Sequence, residues 1–230
     1  MNIEKELIIA ILKATKTAVA SVHVVAKDAK IPLQTTQNML KNLQKDGYIY
    51  LGGEVLEVNS LQRLRLAVNA IQLGADIERV ADFLDWREFE QIAVVAFERN
   101  GYSVTRNLHF VHGGRKWEID IVACRKPLIV CVDCKDWHKS IYQSVLRKIV
   151  EEQSARTAAF AEVLSLFAEK IGCASWTNAK LIPAVLSLVA GRFKFYNDIP
   201  IVSVLQIQDF LAQLPAYADS LKHFTKTLAD

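Results

Sequence analysis

The chain has 230 residues, 51% of them hydrophobic, and its 28 Lys and Arg against 25 Asp and Glu leave a net charge of +3. That length suits one large domain or two small ones, and two is the expectation here. A charge so near balance excludes bulk basicity as a binding device; no apolar run reaches the ~18 residues of a membrane span, and the charged start MNIEKELIIAILKA is unlike a signal peptide, so a cytoplasmic chain with no membrane partner is expected.

Residues 1–60 form the first expected domain. Leu7, Ile8, Ile11 and Leu12 fall at helical spacing within Glu4 to Thr15. A short helix over Ser21 to Ala29 stops before Pro32, and a third over Gln34 to Asp46, with Met39, Leu40 and Leu43 inward, ends at Gly47. Two short strands, Tyr48 to Leu51 and Glu54 to Val58, then flank Gly52-Gly53. This pattern resembles winged helix-turn-helix domains. The resemblance implies a third helix that enters a DNA major groove, with Gln34, Thr35, Gln37, Asn38, Lys41 and Lys45 outward. Subunit pairing is the other role open to such a domain, since the wing tip Leu51 to Glu54 has no cation.

Residues 61–84 read as a helical connector: Leu61, Leu64, Ala67, Val68 and Ile71 are apolar at helical spacing within Ser60 to Gly74, and a second helical piece follows from Ile77 to Phe83. Asp85 is placed to cap the helix that opens the next domain, 85–215. On that helix Phe89, Ile92, Ala93, Ala96 and Phe97 make an apolar stripe with Glu90 beside it; Glu88, next to Arg87 and Gln91, reads as solvated. Tyr102 to Val111 is a strand, and His112-Gly113-Gly114-Arg115 a turn. Arg106, Arg115, Lys116, Arg125 and Lys126, with His109 and His112, gather near the strand ends, as a phosphate backbone would require.

The stretch Lys116 to Asp136 reads as a hairpin with charge inside. Glu118, Asp120, Val122 and Cys124 alternate with the apolar set Trp117, Ile119, Ile121 and Ala123, and the apolar run Leu128 to Val132 leads into Asp133 and Lys135. A carboxylate within an apolar strand needs a counter-charge. Asp120 and Asp133, with the Cys134 carbonyl, offer the hard oxygens that hold Mg²⁺ or Mn²⁺, and Lys135 is placed to orient a water; the chemistry implied is phosphodiester hydrolysis. A buried ion pair of Asp133 with Lys135, or of Asp120 with an arginine, is the simpler alternative. The turn is read as Arg125-Lys126-Pro127; for the two acids to lie opposite each other the loop must hold an even number of residues, such as Lys126-Pro127 or Arg125 to Leu128, since three would separate them. Cys131 and Cys134, three apart on a strand, point to opposite faces and do not suit zinc.

Asp120 followed by Asp133-Cys134-Lys135 resembles the motif of the PD-(D/E)XK nuclease superfamily, particularly Mrr-like restriction endonucleases and archaeal Holliday junction resolvases. Trp86 to Gln91 opening a helix that ends at Asn100-Gly101-Tyr102, and later strands at Leu181 to Val189 and Ile199 to Val204, extend the likeness over roughly Trp86 to Leu214. It implies an α/β fold with a mixed sheet flanked by helices, and DNA cleavage by Glu90, Asp120, Asp133 and Lys135 with Mg²⁺ or Mn²⁺. It also implies a homodimer acting on DNA, and a long amphipathic segment, Ile141 to Ile171, whose Lys148, Gln153 and Arg156 face phosphate. His138 is a possible proton carrier on the same reading. Ile119 stands where the motif has proline, and Asp133 is the shorter of the two permitted acids. A DNA or junction clamp without catalysis, and an assembly subunit, are the competing functions. Gly191 to Asn197 is expected as a loop, Leu205 to Leu214 as a helix ended by Pro215, and 216–230 as a helical tail.

Overall fold

A computed structural model describes residues 2–76, 79–80, 82–84, 86–135, 142–187 and 193–228. Asp85, His138 and parts of the segments expected at 77–83 and 188–192 lie outside the described residues. The chain divides into two compact units, Met1–Ile92 and Ala93–Asp230.

In the first unit the order is α1 (Ile3–Ala14), β1 (Val19–Ser21), α2 (Val22–Ala29), α3 (Leu33–Lys45), β2 (Tyr50–Gly52), β3 (Val55–Glu57) and α4 (Ser60–Gln72). Asn2 caps α1 by accepting from the Glu4 and Lys5 N–H groups, and Asn59 with Gln62 forms a reciprocal capping box on α4. The three strands make an antiparallel sheet in the order β1-β3-β2. Leu7, Ile8, Ile11, Leu12, Val25, Leu40, Leu56 and Leu66 form its buried core. A fifth helix, α5 (Trp86–Arg99), begins in this unit and continues into the second.

The second unit is a seven-stranded mixed sheet with helices beside it. Its elements are β4 (Ser103–His112), β5 (Arg115–Arg125), β6 (Leu128–Lys135), α6 (Gln143–Ile171), β7 (Asn178–Ser187), β8 (Phe195–Tyr196), β9 (Ile199–Ser203), α7 (Ile207–Tyr217) and β10 (Phe224–Thr227). The order is β4-β5-β6-β7-β9-β8, antiparallel as far as β6 and parallel across β6-β7-β9. Gly113 and Gly114 both take positive φ, 58° and 73°, which is what a two-residue turn between β4 and β5 demands. α6 is one helix of 29 residues ending at Gly172 in the left-handed conformation. Its Ala159, Phe160 and Leu164 bury against Val122, Cys124, Ile129 and Cys131.

Three expectations are corrected. The tail is not helical throughout: Phe224 to Thr227 alternates with period two and pairs antiparallel with β7 over Asn178 to Leu181. Pro215 does not end α7, which runs through it to Tyr217. Part of the loop expected over 191–197 is strand β8, paired with β9.

Candidate active site

The hairpin β5-β6 closes on the two-residue loop Lys126-Pro127. The ladder runs Arg125 opposite Leu128, through Val122 opposite Cys131, to Ile121 opposite Val132. The paired ladder ends there, and beyond it the Cys134 N–H donates to Asp120 Oδ2 at 2.7 Å, which brings Asp120 alongside Asp133. Period two puts Asp133 on the side of Ile129 and Cys131, beneath α6, whereas on β5 the expected alternation is broken, since Trp117 and Ile119 share the α6 side with Val122 and Cys124. β6 is buried along its whole length up to Lys135, since β5 and β7 pair on both of its edges.

Asp133 is 3% exposed and so requires charged partners. Lys135 Nζ lies 2.9 Å from its Oδ2, and Arg156 Nη1 donates to its Oδ1 at 2.6 Å. The same Arg156 nitrogen donates to Gln153 Oε1 at 2.8 Å, and Gln153 Nε2 donates to the Cys131 carbonyl at 2.7 Å. Gln153 is thus a strut between α6 and β6. Burial pushes the Asp120 carboxyl up to about 6, against the Cys134 N–H, which favours the ionised form. Asp133 pushes the same way as burial, whereas Lys135 and Arg156 oppose it. Among the described residues two acids and two cations therefore share one cluster, and their formal charges sum to zero.

The remaining predicted residues fall elsewhere. On α3, Gln34, Thr35, Asn38, Lys41 and Lys45 are exposed, as expected, and Gln37 half-buried. Arg106, Arg115 and Lys116 are exposed on β4 and β5; Arg115 stacks on the Trp117 ring and pairs with Glu152 at 3.0 Å. Gln153, expected to face phosphate, has no exposed surface and a fully engaged amide. Glu90 is buried on α5. Glu88 corrects its expected solvation: it is 5% exposed and accepts from Arg63 Nε at 2.5 Å. Arg63 also donates to the Leu12 carbonyl, the Thr15 hydroxyl and the Phe83 carbonyl, which ties α1, α4 and the start of α5 together. Neither Arg63 nor the Asp133–Arg156 pair was found from sequence. The usable signal was a polar trio, Gln153, Arg156 and Thr157, on an otherwise apolar helix face.

The donor set suits a hard cation: two carboxylates on neighbouring strands and a main-chain carbonyl one residue beyond, the modest protein share that Mg²⁺ takes alongside water. Among the described residues no group of three or more His, Cys, Asp or Glu side chains is clustered for a metal. All four cysteines are free and buried, and burial pushes the Cys124 thiol up to about 12, so they behave as core residues.

Residues 81–168 match the family model of the Mrr catalytic domain, described as restriction endonuclease. An uncharacterized protein of Archaeoglobus fulgidus is 28% identical over 133 residues, covering 57% of this chain and 93% of that one. Among solved structures, protein VC1899 from Vibrio cholerae is similar at 12% identity and a TM-score of 0.39, over 94% of this chain and 52% of its own. Restriction endonuclease FokI is similar at 14% identity and a TM-score of 0.37, over 93% of this chain and 44% of its own. The chain thus spans about half the length of these two structures. The segment 81–168 that matches the restriction-endonuclease model thus holds the motif residues Asp120, Asp133 and Lys135, and its mixed sheet flanked by helices is the fold expected of a restriction-endonuclease-type domain.

Proposed function

We propose that the chain is a metal-dependent DNA endonuclease. The observation that carries this reading is the Cys134 N–H bond that holds Asp120 beside Asp133, with Lys135 two residues further along β6 and paired with Asp133. Asp120, Asp133 and the Cys134 carbonyl would hold Mg²⁺ or Mn²⁺, which when bound polarises a phosphodiester and lowers the pKa of its water. Lys135 orients the attacking water. The Cys134 N–H holds Asp120 in its rotamer, and Gln153 acts through Arg156.

Lys116, Arg106 and Arg115 supply phosphate contacts along β4 and β5, and α3 reads the duplex as the third helix of a winged-helix domain. Cutting both strands of a duplex takes two such sites, which a homodimer provides.

The test compares labelled linear duplex, four-way junction and single-stranded DNA with Mg²⁺, Mn²⁺ or chelator, using wild type, Asp120→Ala and Lys135→Ala. Metal-dependent products that drop by at least about a hundredfold in both variants are expected. A second reading, DNA binding without cleavage, draws on the engagement of both Asp133 oxygens by Lys135 and Arg156. Equal binding by all three proteins with no product under any metal would establish it instead.

A further inference from the structure

Arg156 is held by Asp133, the same carboxylate that the proposed metal would use. Its Nη1 bridges Asp133 Oδ1 at 2.6 Å and Gln153 Oε1 at 2.8 Å. Its Nε–H is buried without an acceptor among the described residues. A buried donor left without a partner is costly, so this pose is held by the charge of Asp133 and not by complete hydrogen bonding. Asp120 and Asp133 carry two negative charges, and Lys135 and Arg156 carry two positive ones. Adding a divalent cation to that neutral wall leaves an excess of two positive charges in a half-buried place, which is unfavourable unless a cation withdraws or an anion arrives. Lys135 bonds Asp133 with a third of its side chain already in solvent, whereas Arg156, with its Nε–H unpartnered among the described residues, is the cation that gains hydrogen bonding by turning to an anion.

We propose that Arg156 is a positioning residue that serves as the resident counter-ion of Asp133, competes with the divalent cation for it, and turns to the incoming phosphodiester once the cation binds. This rests on the metal site proposed above. It makes binding of cation and DNA mutually reinforcing, because each relieves the charge imbalance that the other creates. Gln153 sets the reach of Arg156 in the cation-free site by accepting from the same nitrogen.

The experiment measures Mn²⁺ binding to the full chain without DNA, by electron paramagnetic resonance, for wild type, Arg156→Met and Asp120→Asn. Arg156→Met is expected to bind Mn²⁺ more tightly than wild type by about tenfold or more, the opposite of what damage to the fold would do. If Mn²⁺ binds wild type and is lost in Asp120→Asn, while Arg156→Met binds it equally or more weakly, the role of Arg156 is overturned and the metal site stands. Absence of Mn²⁺ binding in every protein overturns both. A measurement on wild type guards against a variant that fails to fold: the Arg156 Nε–H resonance, assigned by its loss in Arg156→Lys, is expected to shift during Mg²⁺ titration. A resonance unmoved at saturating Mg²⁺ overturns the proposal.

Discussion

Asp120 is pulled two ways at the scale of a single side chain: burial favours its neutral form, and the Cys134 N–H favours the charged one. Burial prevails, so the folded carboxyl titrates near 6 against an ordinary value of 3.8. A group raised on folding contributes stability that is fully present below about 4 and is lost as pH rises through about 6. Asp120→Asn is therefore expected to stabilise the metal-free chain at pH ~8, by on the order of 1 kcal/mol once solvent screening is discounted, with the gain fading toward pH ~4. Urea unfolding of both proteins across that range checks it; a constant difference at all pH would refute it. The Arg63–Glu88 pair offers a second test, because both side chains are only 5% exposed. Glu88→Gln leaves a buried guanidinium short of its counter-charge and is expected to cost ~3–5 kcal/mol, whereas Arg63→Met with Glu88→Leu is expected to cost far less. Calorimetric unfolding of the single and double variants distinguishes a true ion pair from two independent residues.

Among the elements, β10 shows how an edge is completed. β9 pairs with β7 only over Val185 to Ser187, which leaves the edge of Asn178 to Leu181 to be covered. Phe224 to Thr227 covers it, and Phe224 with Leu228 packs against the cluster built on α6 and the sheet. Phe224→Ala is expected to destabilise the second unit by ~1–2 kcal/mol, the value for a half-buried ring. It should also lower hydrogen-exchange protection at Ala179 and Leu181; unchanged protection there would show that the strand contributes nothing to the edge. The helical tail expected from composition fails because Phe-Thr-Lys-Thr has a period of two and two β-branched residues, a pattern that favours strand wherever an edge is available. Pro215 misled for a related reason: it costs α7 one hydrogen bond, and Leu211 and Leu214, both buried, hold the helix through it.

For the molecule as a whole, a net charge of +3 gives little long-range attraction to DNA, so affinity must come from local cations. Lys41 and Lys45 on α3 are exposed, and neither forms an ion pair among the described residues. If α3 lies on DNA, Lys41→Ala with Lys45→Ala is expected to reduce the slope of log affinity against log salt by about 2. Fluorescence anisotropy at several salt concentrations measures it, and an unchanged slope assigns α3 to protein contacts. Among the described residues no helix is long and apolar enough to cross a membrane, in keeping with the charged, interrupted apolar runs of the sequence.

Local spacing determined a great deal. An even-membered loop was the condition for Asp120 to lie opposite Asp133, and Lys126-Pro127 meets it where the three-residue turn Arg125 to Pro127 would not, because a hairpin's register follows from its loop length. Helical periodicity and caps likewise placed α1 to α4 and the stripe on α5, since those signals act within a few residues. What only the tertiary structure decided were the partners brought in from far along the chain. Arg156 reaches Asp133 across 23 residues, Arg63 reaches Glu88 across 25, and β10 finds β7 at the end of the fold. Local pattern can mark one member of such a contact, as the polar trio on α6 and the period of two in β10 do, but not its partner: each pairing arises because a buried charge or an open strand edge must be satisfied by whatever the packing of α6, α4 or the tail brings within reach.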